Sequence, residues 1–204
     1  METDLELLNS ARRMNKDALV KIFDLYSSAL YKYALSLCYD PVSADHIVGD
    51  VFAKLLEQFA SGEGPTENLR SYLYQATYHR IIDETRYSKR RSSMDSVEWL
   101  RQDGRDGYIS LEDQILYKQV LYAIQNHLTN DQRHVVVLRF LEGFSLRETG
   151  TIIGKTEDHV KVIQSRAIAK LRKVLDDKKV GRRVPSSFVN QLPKASIAAR
   201  PGQL

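Results

Sequence analysis

Apolar residues in this chain recur at steps of three and four almost throughout. That is the period of a helix burying one face, and it admits little besides packed helices. Leu19, Ile22, Phe23, Tyr26, Leu30, Tyr33, Ala34 and Leu37 form one such stripe. Val48, Val51, Phe52, Leu55, Leu56 and Phe59 form a second, with Asp40-Pro41 as the break between them and Ser43 as the expected cap. Gly62, Gly64 and Pro65 mark a loop. A third helix is expected from Asn68 to Arg86, with Leu69, Tyr72, Leu73 and Ala76 on one side. Three helices joined by short loops make a small bundle.

The period lapses between Ser92 and Ser110, where two clusters of Asp, Arg and Gly replace it. This stretch reads as a linker, with Trp99 and Leu100 as a small packing contact or an anchor on a partner. The helical pattern then resumes. Leu116, Val120, Ile124 and Leu128 form a stripe, and Thr129-x-x-Gln132 has the spacing of a capping box. A helix through Val135 to Leu141 is expected to end at Gly143. Ser145-x-x-Glu148 is a second capping box, opening a short helix to about Ile153. After the turn at Gly154-Lys155, Thr156 caps a last helix running to about Val174. The reading is all-α. It has a helical domain over 1–91, a flexible linker over 92–110, a second helical domain over 111–176 and a basic, disordered tail over 177–204.

Composition narrows the function. The 204 residues are 43% hydrophobic and 27% charged, ordinary for one or two globular domains. No apolar run reaches the ~18 residues of a membrane span, and the acidic start Met1-Glu2-Thr3-Asp4 does not resemble a signal peptide. The single cysteine, Cys38, can form no internal disulfide. A reducing cytoplasm is the expected location. The net charge of +4 is unevenly spread: residues 1–66 carry −4 and 92–128 carry −3, while 67–91, 129–175 and 176–204 carry +3, +4 and +4. Two separated basic blocks and a basic tail suit contacts with a polyanion, or else are solvated helix faces.

Residues 145–171 have the form of a helix-turn-helix, a short capped helix, a turn with glycine and a longer basic helix. Its second helix has the dimensions to enter the major groove of duplex DNA. His159, Val162, Ser165 and Arg166 share one face there, flanked by Lys161 and extended by Lys170. Val160, Ile163 and Ala167 lie toward the other side, where they can pack inward. The helix after residue 68 is also basic, with Arg70, Arg80, Arg86 and Lys89-Arg90-Arg91. Tyr74 and Tyr78 interleave with these charges beside His79, a combination that suits single-stranded nucleic acid. The alternative is that the tyrosines bury against a neighbouring helix.

Four stretches carry a family resemblance. Ala44 to Phe52 reads A-D-H-I-V-G-D-V-F, Tyr72 to Asp83 reads Y-L-Y-Q-A-T-Y-H-R-I-I-D, and Leu128 to Ser145 reads L-T-N-D-Q-R-H-V-V-V-L-R-F-L-E-G-F-S. The last helix reads V-K-V-I-Q-S-R-A-I-A-K-L. In this order, the chain resembles the extracytoplasmic-function sigma factors of bacterial RNA polymerase over roughly residues 15–175. The resemblance implies a first domain that docks on the polymerase clamp through Val48, Asp50, Phe52 and Leu55 and opens the −10 promoter element. Tyr74, Tyr78, His79, Arg80 and Arg86 would contact that element, with His79 and the loop Ser61 to Asn68 forming a pocket for a flipped base. It implies a second domain that binds the −35 element as duplex through His159, Lys161, Val162, Ser165 and Arg166. The implied partners are core polymerase (clamp and flap), promoter DNA and an anti-sigma factor, with the free chain a monomer.

The chain departs from the family pattern at His46, Gly49, His79, Gly150 and Ile163. Gly150 stands where Ala is usual, and Ile163 where Arg is common. Two other classes compete with a sigma factor. One is an autonomous helix-turn-helix regulator binding palindromic DNA as a dimer, which would not need the basic, aromatic helix. The other is an enzyme such as a nuclease. The sequence offers it no catalytic residue, no metal-ligand cluster, no phosphate-binding loop and no cofactor motif; His46 with Asp45 and Asp50 reads as helix surface.

Overall fold

The structure is a computed structural model, and it describes residues 4–88, 120 and 122–177. The expected linker over 92–110, with Trp99 and Leu100, lies outside the described residues, as do Leu116 and the tail beyond residue 177. The chain divides into two units. Among the described residues all regular structure is helical, as the apolar period requires.

The first unit holds four helices rather than the three expected. These are α1 (Asp4–Arg12), α2 (Lys16–Cys38), α3 (Pro41–Ala60) and α4 (Leu69–Ser88). Helix α1 buries Leu7, Leu8 and Ala11 against α2 and α3. Asn15 caps α2 by accepting a hydrogen bond from the Ala18 N–H at 3.0 Å. The cap of α3 is Asp40, not Ser43: its carboxylate accepts from the Ser43 N–H at 2.8 Å, and Pro41 takes the first helical position. The bonds that Ser43 donates, from side chain and backbone, hold the Asp40 carboxyl below its ordinary pKa.

Ile22, Leu30, Tyr33 and Leu37 of α2, Ile47, Val51, Leu55 and Phe59 of α3, and Leu69, Leu73, Tyr74 and Ile81 of α4 form the core. Helix α4 packs against both α2 and α3. It therefore buries adjacent positions such as Leu73 and Tyr74, not a single stripe. Phe23 is the exception on the α2 stripe: it is 48% exposed, its ring 4.9 Å from that of Phe52.

In the second unit, residues 122–127 form a helical turn, here α5, followed by α6 (Asn130–Val136), α7 (Leu146–Ile153) and α8 (Glu157–Asp177). Both capping boxes are formed. Thr129 and Gln132 exchange side-chain and backbone bonds at the start of α6, and Ser145 and Glu148 do so at the start of α7. The expected run of helix to Leu141 changes character: Val137–Leu141 is π-helical, with the Glu142 N–H bonded to the Val137 carbonyl. Ile124, Leu128, Val136 and Ala167 make a core cluster, with Val120, Phe140 and Leu171 packed against it.

Candidate nucleic-acid interface

The turn between α7 and α8 is tight, and its sequence shows why. Gly154 ends α7 in the left-handed conformation at φ 67°, which glycine adopts without strain. The Lys155 N–H then bonds to the Gly150 carbonyl at 2.8 Å. A Cβ at position 150 would stand 2.5 Å from the Lys155 carbonyl oxygen. Glycine at 150, where the resemblance expects alanine, is thus a steric requirement of this turn. The His159 N–H bonds to Thr156 Oγ1 at 3.3 Å, so Thr156 caps α8 as expected.

Helix α8 divides as its spacing predicts. Val160, Ile163 and Ala167 are buried. His159, Lys161, Val162, Ser165 and Arg166 are exposed, as is Lys170. Val162 is notable, an apolar side chain 44% exposed on an otherwise polar face. Ile163, at a position where the family commonly has Arg, is buried, which puts position 163 on the inward side. The Lys161 ammonium lies 3.1 Å from Asp158 and 3.3 Å from Glu157, which raise its pKa through hydrogen bonds. Arg139, from the π-helical segment, donates to Gln164 Oε1 at 3.0 Å and to the Phe144 carbonyl, bracing α8 from within. Burial lowers its pKa.

In the first unit a cleft of about 360 Å³ lies between α3 and α4. Asp50, Gln58, Tyr72, His79 and Arg80 are among the residues lining it. The Tyr72 hydroxyl donates to Gln58 Oε1. Arg80 Nε donates to Asp50 at 2.7 Å across the cleft, and Arg80 also meets Glu84 at 3.5 Å. His79 is exposed, with the Tyr78 ring edge-on at 5.3 Å.

Four expected site residues lie elsewhere than a surface role needs. Tyr74 is 1% exposed and packs on Tyr33 at 5.3 Å, so no base can stack on it. The alternative reading of the tyrosines holds for this one. Val48, Phe52 and Leu55 are buried too, because their face of α3 fills the bundle core. Asp50 is exposed but bound to Arg80. Arg86 lies on α4, with its side chain outside the described residues. Exposed apolar surface that was given no binding role includes Val20, Phe23 and Leu25 on α2 and Val42 and Leu56 on α3. Arg12 was also missed. Its contacts are non-local, and no spacing rule reaches them.

Among the described residues no group of His, Cys, Asp and Glu could hold a metal ion, and no helix is long and apolar enough to cross a membrane. Burial drives the Cys38 thiol up to about 11, so it stays protonated at neutral pH.

Comparison with known proteins matches two successive stretches of the chain. Residues 22–91 match the model of sigma-70 region 2, and residues 126–173 match sigma-70 region 4. The ECF RNA polymerase sigma factor SigX of Bacillus subtilis is 27% identical over 161 residues, 76% of this chain and 82% of SigX. The ECF sigma factor BldN of Streptomyces coelicolor is 26% identical over 176 residues, 85% of this chain and 66% of BldN. Among solved structures, the sigma factor RpoE of Bartonella quintana, crystallised with the anti-sigma factor NepR, superposes with a TM-score of 0.62 at 23% identity. That match covers 79% of this chain and 97% of RpoE. CnrH, in complex with the cytosolic domain of CnrY, gives a TM-score of 0.65 at 21% identity over 85% of this chain and 97% of its own. With region 2 followed by region 4 on an all-helical fold, the chain belongs to the extracytoplasmic-function sigma factors of RNA polymerase.

Proposed function

We infer that this chain binds core RNA polymerase in the cytoplasm and directs it to specific promoters, contributing recognition and strand opening but no bond chemistry of its own. The observation that carries this is the divided face of α8, braced from within by Arg139 and presented after a capped, glycine-tight turn. His159, Val162, Ser165 and Arg166 would read the −35 duplex in the major groove. Val162 suits a thymine methyl, and Arg166 suits a guanine edge. Lys161 would exchange its carboxylate partners for a phosphate.

In the first unit, His79 would meet the −10 strand at the cleft with Tyr78 beside it, and the 61–68 loop, which joins the cleft residue Gln58 through the Glu63 N–H, would supply the second wall of a base pocket there. Arg80 is held by Asp50 and would have to release it to reach a phosphate. The clamp surface would be the exposed apolar side of α2 and α3, with Phe23 and Leu56, rather than Val48, Phe52 and Leu55. The domain limits remain 1–91 and 111–176, joined by 92–110. Solved relatives with anti-sigma factors support such a partner here as well. No cofactor enters this reading, and the free chain is a monomer.

The test is run-off transcription with bacterial core polymerase on DNA from upstream of the chain's own gene. The expected result is a discrete transcript that requires the protein. No transcript, together with no co-purification of core polymerase, would overturn the inference. Binding of palindromic duplex as a dimer would then identify an autonomous regulator.

A further inference from the structure

We propose that Arg12 is a positioning residue for promoter opening, its guanidinium fixing the shape of the 61–68 loop beside the cleft that carries His79. The proposal rests on the reading of that loop as the second wall of the −10 pocket. Helix α1 precedes the region 2 match, which begins at residue 22. Yet Arg12, at its last position, reaches across the unit to the loop.

Arg12 Nη1 donates to the carbonyls of Gly64 at 3.0 Å and Pro65 at 2.8 Å, and Nη2 donates to that of Gly62 at 3.2 Å. Three carbonyls within four residues converge on one cation only if the chain doubles back. Gly62 at φ 77° and Gly64 at φ 90° supply that turn. The planar guanidinium matches it, because two of its nitrogens diverge to separate acceptors. Two of the loop's own donors are engaged elsewhere: the Gly62 N–H bonds to the Phe59 carbonyl at 3.1 Å and the Glu63 N–H to the Gln58 carbonyl at 2.7 Å. Gln58 lines the cleft with His79 and accepts the Tyr72 hydroxyl bond there. Arg12 is thus linked to the cleft through the loop backbone and Gln58. With the carbonyls held inward, the exposed side chains of Glu63, Thr66, Glu67 and Asn68 form the loop's outer surface.

Without Arg12 the three carbonyls return to water and the loop must be ordered anew at each opening event, a preorganisation cost. That cost falls on base capture, not on polymerase binding. The test loads core polymerase with wild type, Arg12→Met or Arg12→Lys. Each is assayed on promoter fragments from upstream of the chain's own gene with the −10 positions randomised. Core affinity is expected to stay at the wild-type value for both variants. Arg12→Met is expected to lower the open-complex yield about tenfold and to flatten preference at the position that His79→Ala also alters. Arg12→Lys keeps the charge but not the planar fork, and is expected to fall between. A variant that binds core and keeps the wild-type opening and preference profile overturns the proposal. If Arg12→Met does not fold, Arg12→Lys decides: faster hydrogen exchange at the Glu63 amide with a flattened profile supports it, and unchanged exchange and profile overturn it. If His79→Ala also leaves preference unchanged, the pocket reading beneath the proposal fails, whereas an effect of His79→Ala alone removes only Arg12.

Discussion

His134 sits in α6 with 2% of its surface exposed. Burial drives its imidazole pKa down to about 3, and nearby Asp131 opposes that shift without cancelling it. The side chain is neutral in the fold, while in the unfolded chain it takes up a proton below about pH 6.5. A depressed histidine pKa therefore removes stability as pH falls through 6.5 toward 3, by roughly 1.4 kcal/mol per pH unit. Melting of the second unit is expected to weaken between neutral pH and about pH 5, and His134→Gln should flatten that dependence in a thermal-denaturation series. Thr149 is a second buried polar side chain, whose Oγ1 finds no hydrogen-bond partner among the described residues. Replacing that hydroxyl with a methyl removes an unmet desolvation penalty. Thr149→Val is expected to raise stability by about 1 kcal/mol in urea titrations. The sequence marks neither behaviour, since a histidine or threonine inside a helical pattern reads alike whether buried or exposed.

At the scale of elements, the caps were the most legible features. Thr129/Gln132 and Ser145/Glu148 form their boxes because a capping box depends on residues three apart and on nothing distant. The turn between α7 and α8 was legible as a turn, but not in its tightness. Gly150→Ala would force a Cβ against the Lys155 carbonyl. It is expected to destabilise the second unit by about 1–3 kcal/mol, read as a lower midpoint of unfolding, because backbone cannot rotate away as a flexible side chain can. Helix α4 was the least legible. Wedged between α2 and α3, it buries both Leu73 and Tyr74, so its apolar residues mark no single side. The assignment of Tyr74 to a binding face failed for that reason. The assignment of Val48, Phe52 and Leu55 to a docking surface failed similarly: the apolar stripe of α3 faces the core, and Leu56 alone among its members is exposed.

For the molecule as a whole, the two units should fail separately when tested separately. Arg166→Ala is expected to weaken binding of a −35 duplex by about 1–3 kcal/mol and relax preference at one base pair, measured by fluorescence anisotropy. His79→Ala should leave that duplex affinity at the wild-type value and shift preference at one −10 position in transcription from randomised promoters. The uneven charge supports this division, because the basic blocks at 67–91 and 129–175 fall on the two units and are separated by an acidic stretch. Both proposed recognition surfaces hold internal ion pairs, Arg80 with Asp50 and Lys161 with Asp158. DNA phosphates would have to displace these carboxylates, a competition that raising salt weakens on both sides.

The sequence by itself determined the all-helical class, the capped ends, the helix-turn-helix and the outward and inward faces of α8. Each follows from spacing along one chain segment, and short-range hydrogen bonding and a fixed helical period fix such features locally. The tertiary structure alone decided that Tyr74 is core, that Arg80 is bound to Asp50, that position 150 has no room for a Cβ and that Arg12 holds a loop fifty residues away. Those depend on which helices meet and at what distance, and a side chain's neighbours across a bundle leave no period in the sequence.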